Sequence, residues 1–181
     1  MRKQLVFLVM FVAAGFAFAS PARAERAIGS GGSGFGAPGQ VVITGDLEGH
    51  LRNGWELRLH PALDYFIASN ISVGGVAGIT YNSGNPSVTT FDLGARAGFN
   101  LGINDALTFW PTVGIFFHHT SVGSTAMSNG SSSNSSSLEI FAPFLYHLVP
   151  HLFVGAGPIF DLALNGGGNS YGLQTVVGGW F

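Results

Sequence analysis

Between Thr90 and Leu101 the chain alternates strictly. Phe91, Leu93, Ala95, Ala97, Phe99 and Leu101 share one face of an extended strand, and Thr90, Asp92, Gly94, Arg96, Gly98 and Asn100 share the other. The stretch from Trp55 sorts the same way, with Trp55, Leu57, Leu59, Pro61, Leu63, Tyr65 and Ile67 against Glu56, Arg58, His60 and Asp64. A third sets Leu138, Ile140, Ala142, Phe144, Tyr146 and Leu148 against Glu139 and His147. Beyond Gln40 no segment keeps apolar residues at helical spacing over a useful length. The alternation predicts an all-β chain with eight strands, over 40–50, 55–67, 71–82, 88–102, 106–122, 137–149, 151–164 and 170–181.

A soluble sandwich would alternate too, with its oily face turned inward. The charge inventory decides between the two. From residue 55 onward the chain carries only Glu56, Arg58, Asp64, Asp92, Arg96, Asp105, Glu139 and Asp161, and no lysine. Over the whole chain 9% of residues are charged against 46% hydrophobic, too few charges to solubilise an exterior of this size. The polar face is therefore expected to line an interior and the oily face to meet lipid. In lipid every backbone N–H and C=O must be satisfied within the protein, which a closed sheet achieves. Each predicted strand has the roughly 9–11 residues that a tilted span requires. The expected fold is a closed eight-stranded antiparallel up-and-down transmembrane β-barrel over residues 40–181.

The chain opens with Arg2 and Lys3, an apolar run from Leu5 to Phe18, and Ala22-Arg23-Ala24 as a small-x-small cleavage site. That order predicts a cleaved secretory signal peptide over 1–24. Residues 25–39 are rich in Gly and Ser and predict a flexible lead-in. Gly34, Gly36 and Gly39 match G-x-G-x-x-G, yet they precede a strand rather than open a helix, so no dinucleotide site is expected. Losing Arg2, Lys3 and Arg23 leaves four basic residues against nine acidic ones, a net charge of −5 that argues against a nucleic acid partner. The chain has no cysteine, so no disulfide framework holds it.

Short turns at Ser69, Asn104 and Pro150 join alternate pairs of strands, while the other joints include "YNSGNPS" and a Ser-rich stretch over 123–136 that reads as a solvated linker. Short turns at one end and longer loops at the other are the outer-membrane arrangement, and they put both termini on the periplasmic side. Trp55, Tyr81, Phe91, Phe117 and Tyr171 fall near the loop ends of the oily face, and Tyr65, Phe99, Phe109, Tyr146 and Phe181 near the turn ends, as two interfacial girdles. The leader, the eight alternating segments and the terminal Phe closely resemble the eight-stranded outer-membrane β-barrel family typified by the membrane domain of OmpA and by OmpX, over roughly residues 40–181. The resemblance implies a place in the bacterial outer membrane, surrounded by its lipid and lipopolysaccharide. It also implies an assembly signal at Phe181, Val177, Thr175 and Leu173, read by the barrel assembly machinery. No peptidoglycan-binding domain follows, so wall tethering is not implied. The expected role is structural, or an interaction through the loops, by a monomer without cofactor or catalysis.

A lumen polar network is expected from Asp46, Glu48, Glu56, Arg58, Asp64, Asp92, Arg96, Glu139 and Asp161. A first joint pivoting on Arg52 would set Asp46 against Arg58 and Glu48 against Glu56. Pivots at Ser69 and Asn85 bring Asp64 and Arg96 level with Gly74, which leaves room for an ion pair across it. Glu48, Glu56, Asp92, Glu139 and Asp161 gather toward the loop ends. These charges either satisfy one another in a filled interior or form a narrow cation-favouring pore gated by Arg58 and Arg96. In "FFHHTS", His119 and Ser121 resemble the lipid A deacylase barrels, whose Ser, His and Glu act at the lipid-facing surface; here Glu139 points inward, away from that face. Inward His60, His118 and His147 are expected at different heights, so no metal site is predicted. Bulges are expected beside the in-strand prolines Pro61, Pro111, Pro143 and Pro158.

Overall fold

A computed structural model describes residues 34–51, 55–124, 129–165 and 168–181, the side chains of 47–51 and 56 excepted. The expected signal peptide, residues 25–33 of the lead-in, the Arg52 pivot and the side chains of Glu48 and Glu56 lie outside the described residues. The strands are β1 (Val41–Leu51), β2 (Trp55–Ala68), β3 (Ile71–Asn82), β4 (Val88–Phe99), β5 (Leu101–Gly102), β6 (Leu107–Phe109), β7 (Thr112–Val122), β8 (Ser131–Phe141), β9 (Phe144–Val149), β10 (Leu152–Asn165) and β11 (Ser170–Trp180). Interruptions of one or two residues separate β4 from β5, β6 from β7 and β8 from β9, so the strands form eight staves. Every pairing is antiparallel, and β11 pairs with both β10 and β1, which closes the ring.

Sidedness follows the alternation. Leu57, Leu63, Leu93, Ile115, Phe117 and Tyr146 are exposed on the exterior, while Asp64, Ser72, Thr108 and Thr112 are buried inside. Periodicity therefore decides which residues can meet at all, because only inward side chains of neighbouring staves share the bore.

The prolines do not bring the expected bulges. Leu59 pairs with Ile79 and Ala62 with Val76 in one register on either side of Pro61. Pro111 and Pro143 occupy stave interruptions, where their carbonyls accept from Phe99 N and Trp110 N, each at 3.0 Å. The carbonyl of Pro158 accepts from Ala142 N at 3.0 Å. Each proline forfeits one donor and keeps its acceptor, so the ladder pauses without slipping and parity survives. Register shifts fall elsewhere, at Phe66/Ala68, Leu152/Phe153 and Ala163/Asn165, near stave ends.

Two further expectations are corrected. Residues 131–136 are not linker: β8 starts at Ser131 and pairs with β7 as far as Val122. A backbone ladder needs no apolar side chains once it has left the apolar belt, and composition therefore misled. Residues 34–39 of the lead-in are not a loose tether either. Gly39 N donates to Phe66 O and Asn70 N to Gly36 O, both at 2.8 Å. The Gln40 side chain accepts from Gly36 N and Ala37 N and donates to Gly34 O. This turn drives Phe35, fully buried, into the turn end of the bore. There its ring meets Phe66, Trp110, Phe153 and Trp180 largely edge-on, with centroids 5.2–5.5 Å apart. Gly36 holds a left-handed φ of 99°, and a Cβ there would run into Asn70 and Asn100. The glycines of the apparent nucleotide motif serve this turn.

Candidate functional site

The bore is organised in two tiers, each built across a glycine of β3. At Gly74 there is no side chain between Asp64 of β2 and Arg96 of β4, which register on either side of it. Arg96 Nε donates to Asp64 Oδ1 at 3.0 Å and Nη2 to Oδ2 at 2.5 Å, a bidentate pair. Nη2 also reaches Thr44 Oγ1 at 3.1 Å, and the guanidinium lies 5.5 Å from the Trp110 ring centroid. Asp64 has no exposed side-chain surface and Arg96 has 10%. Trp110 Nε1 in turn donates to Ser72 Oγ at 3.2 Å.

The second tier crosses Gly78. His60 Nε2 donates to Asp92 Oδ2 at 2.9 Å and His118 Nδ1 to Asp92 Oδ1 at 2.6 Å, while His118 Nε2 is hydrogen-bonded with Ser137 Oγ at 2.8 Å. His60 and His118 therefore share one height, contrary to the sequence expectation, because Gly78 registers on Asp92 and Asp92 on His118. His147 alone lies apart, near the turn end beside Thr108, at 3.1 Å. Among the described residues no group of ligands could hold a metal ion.

The first hairpin differs from its expected register. Asp46 pairs with His60 rather than Arg58, Glu48 with Arg58, and His50 with Glu56. Its centre of register is residue 53 rather than Arg52. A one-residue move of the pivot shifts each partner by two and keeps every side chain on its face, so parity could not reveal it.

Beyond the second tier the bore widens into a cavity of about 390 Å³ whose lining includes Arg58, His60, Asp92, His118, Glu139 and Asp161. Asp161 lies directly across from Glu139, and Asp161 Oδ1 is buried with no hydrogen-bond partner among the described residues. On the exterior, His119 Nδ1 donates to Asn134 Oδ1 at 2.7 Å, and Ser121 Oγ lies 3.4 Å from His119 Nε2. Asn134 was hidden inside the presumed linker; the β7–β8 register places it opposite His119.

Solved structures share this architecture. The N-terminal β-barrel domain of Pseudomonas aeruginosa OprF is 14% identical, with a TM-score of 0.53 over 80% of this chain and 98% of that one. Neisserial surface protein A is 13% identical, with a TM-score of 0.56 over 78% and 94%. Yersinia pestis Ail, solved in complex with the heparin analogue sucrose octasulfate, is 15% identical, with a TM-score of 0.54 over 80% and 99%. This is the fold of the eight-stranded outer-membrane β-barrels. No protein-family model and no curated protein matches the chain.

Eight staves leave a bore that side chains can fill, and in this outer-membrane barrel fold they do so at two levels below the cavity. The Arg96–Asp64 tier fills one and the Phe35 turn the other. Of the residues expected to carry an assembly signal, Leu173, Thr175 and Phe181 are exposed and Val177 is half-buried, all near or along β11.

Proposed function

We propose that the protein is a small integral outer-membrane β-barrel with a structural or loop-mediated role, both chain ends periplasmic, and a bore that does not conduct. The observation that carries this reading is the opposed character of adjacent positions. Leu93 is 65% exposed on an apolar exterior, while Asp92 beside it is held by two histidines inside. Outer-membrane lipid and lipopolysaccharide then surround the belt, and the barrel assembly machinery reads Phe181, Val177, Thr175 and Leu173. A pore gated by Arg96 would need that side chain free to swing, whereas it is clamped by two bonds to a buried carboxylate above a seated aromatic ring. The β7–β8 hairpin, paired out to Val122 and Ser131, supports a rigid Ser-lined surface for partners at the loop end. Envelope fractionation followed by an unheated gel tests the reading. A compact band from the outer-membrane fraction should shift on boiling; a chain recovered in the soluble periplasm, or one without a shift, overturns it.

A second reading rests on the exterior Ser121–His119–Asn134 array, which adjoins an open apolar groove that includes Phe91, Leu93 and Phe117. With Nδ1 bound to the amide oxygen, Nε2 can take the Ser121 proton for attack on a lipid ester, although an amide stabilises the resulting imidazolium less than a carboxylate does. Mass spectrometry of lipid A from cells carrying the wild type or Ser121→Ala decides: identical acylation removes this reading.

A further inference from the structure

The ring is closed by only part of its last seam. Val42 to Gly45 of β1 pair with Trp180 to Val177 of β11, and Val41 and Phe181 exchange hydrogen bonds of 2.9 and 3.1 Å. Above Gly45 no pairing joins the two strands among the described residues. Yet β1 continues along β2 until Leu51 faces Trp55, and β11 continues along β10 until Ser170 faces Asp161. The neighbouring β3–β4 seam, by contrast, is paired from Ile71 and Phe99 through to Asn82 and Val88. At about 3.3 Å per residue, β1 runs on beside β2 for roughly 20 Å past Gly45, as far as Leu51. This stretch runs from the level of His60 to that of Trp55, whose ring packs against Tyr81 in the loop-end girdle. An open sheet edge is tolerated at membrane depth only where it borders a polar cavity. This one does, since Gly172, Leu173 and Gln174 line the cavity that also holds Glu139 and Asp161.

We propose that this seam is a lateral portal through which an amphiphile with an ammonium head and a single alkyl chain enters the cavity. The head sits between Glu139 and Asp161, and the chain stays outside beside Tyr171 and Leu173, which are 86% and 82% exposed. Charge selects the head. Two carboxylates face each other across a strand pair, a repulsive arrangement, and one oxygen of Asp161 is buried without a donor among the described residues. Arg96 is committed to Asp64, the two histidines to Asp92, and Arg58, which also lines the cavity, is not without a partner. An ammonium brings three donors and a positive charge between the two acids. An extended peptide laid along the open edge would satisfy main-chain groups and leave Asp161 as it is, so the amphiphile is the better fit.

This inference rests on the membrane-barrel reading, and the experiment separates the two. The folded protein in zwitterionic nanodiscs is titrated with dodecylammonium, dodecyl sulfate or dodecyl maltoside and followed by amide NMR. Dodecylammonium alone should give saturable shifts at Gly78, Gly172 and Gln174. Its apparent Kd should rise at least about ten-fold in Glu139→Gln/Asp161→Asn, as expected for loss of charge-assisted contacts. The chain has no cysteine, so Leu47→Cys/Thr175→Cys can be joined across the seam. The joined form should lose the response and regain it on reduction. Absence of saturable shifts, an equal response to the sulfate or maltoside, indifference to removal of the two acids, a joined form that still responds, or preferential capture of an extended peptide overturns the portal. The boiling-dependent gel shift on the same samples tells the readings apart: a retained shift without ammonium binding defeats the portal alone, and a lost shift defeats the barrel reading.

Discussion

Asp64 and Arg96 show how much depends on a missing side chain. A Cβ at Gly74 would run into the Asp64 carboxylate and the Leu63 carbonyl, so Gly74→Ala should break the bidentate pair. Arg96→Ala leaves a carboxylate with no solvent access and no cation, and should cost about 3–5 kcal/mol in urea unfolding from lipid vesicles. Asp64→Leu/Arg96→Met should recover most of that loss, because an apolar pair of similar volume avoids the desolvation altogether. An unchanged unfolding midpoint for Arg96→Ala would show that water reaches Asp64. This pair was legible in the sequence, since pivots at Ser69 and Asn85 fix both registers around β3. The same arithmetic puts His60, Gly78, Asp92 and His118 in one row. That row was missed because the histidines were weighed as metal ligands rather than as partners for an acid.

At the scale of elements, the sequence was readable wherever apolar side chains mark a face and opaque where they do not. β2, β3 and β4 follow from alternation because one side of each is apolar throughout. The first half of β8 is Ser and Asn on both faces, and only its ladder with β7 makes it a strand; its amides from Ser132 to Ser136 should exchange with solvent far more slowly than an open loop would allow. Hydrogen exchange read by mass spectrometry checks this. The turn before β1 was lost in the same way. Glycine dominates its composition, and the single informative residue is Phe35. Phe35→Ala should destabilise the barrel by about 3–5 kcal/mol, the cost of emptying a fully buried aromatic site, measured as a shift in the guanidinium unfolding curve. A shift near zero would mean the turn adds nothing to the ring it fills.

Across the whole molecule the inside-out distribution of charge is the organising fact. Leu93 stands midway along β4 on the exterior, and Leu93→Arg should cost about 2–4 kcal/mol in folding into bilayers. Ser124→Arg, at an exposed loop position, should be near neutral. Equal effects at the two positions would deny that the belt meets hydrocarbon. Planar bilayers containing the wild type should show no single-channel steps, because two filled levels lie beneath the cavity. Steps of any reproducible size would mean that both move aside.

The Phe35 ring touches Phe66 of β2, Trp110 between β6 and β7, Phe153 of β10 and Trp180 of β11, residues drawn from both ends of the chain and its middle. Its socket does not exist until the circle is complete. Burial of that ring is therefore the keystone step, last in time, and the emission of Trp110 and Trp180 should mature only after a growing sheet has met its own beginning.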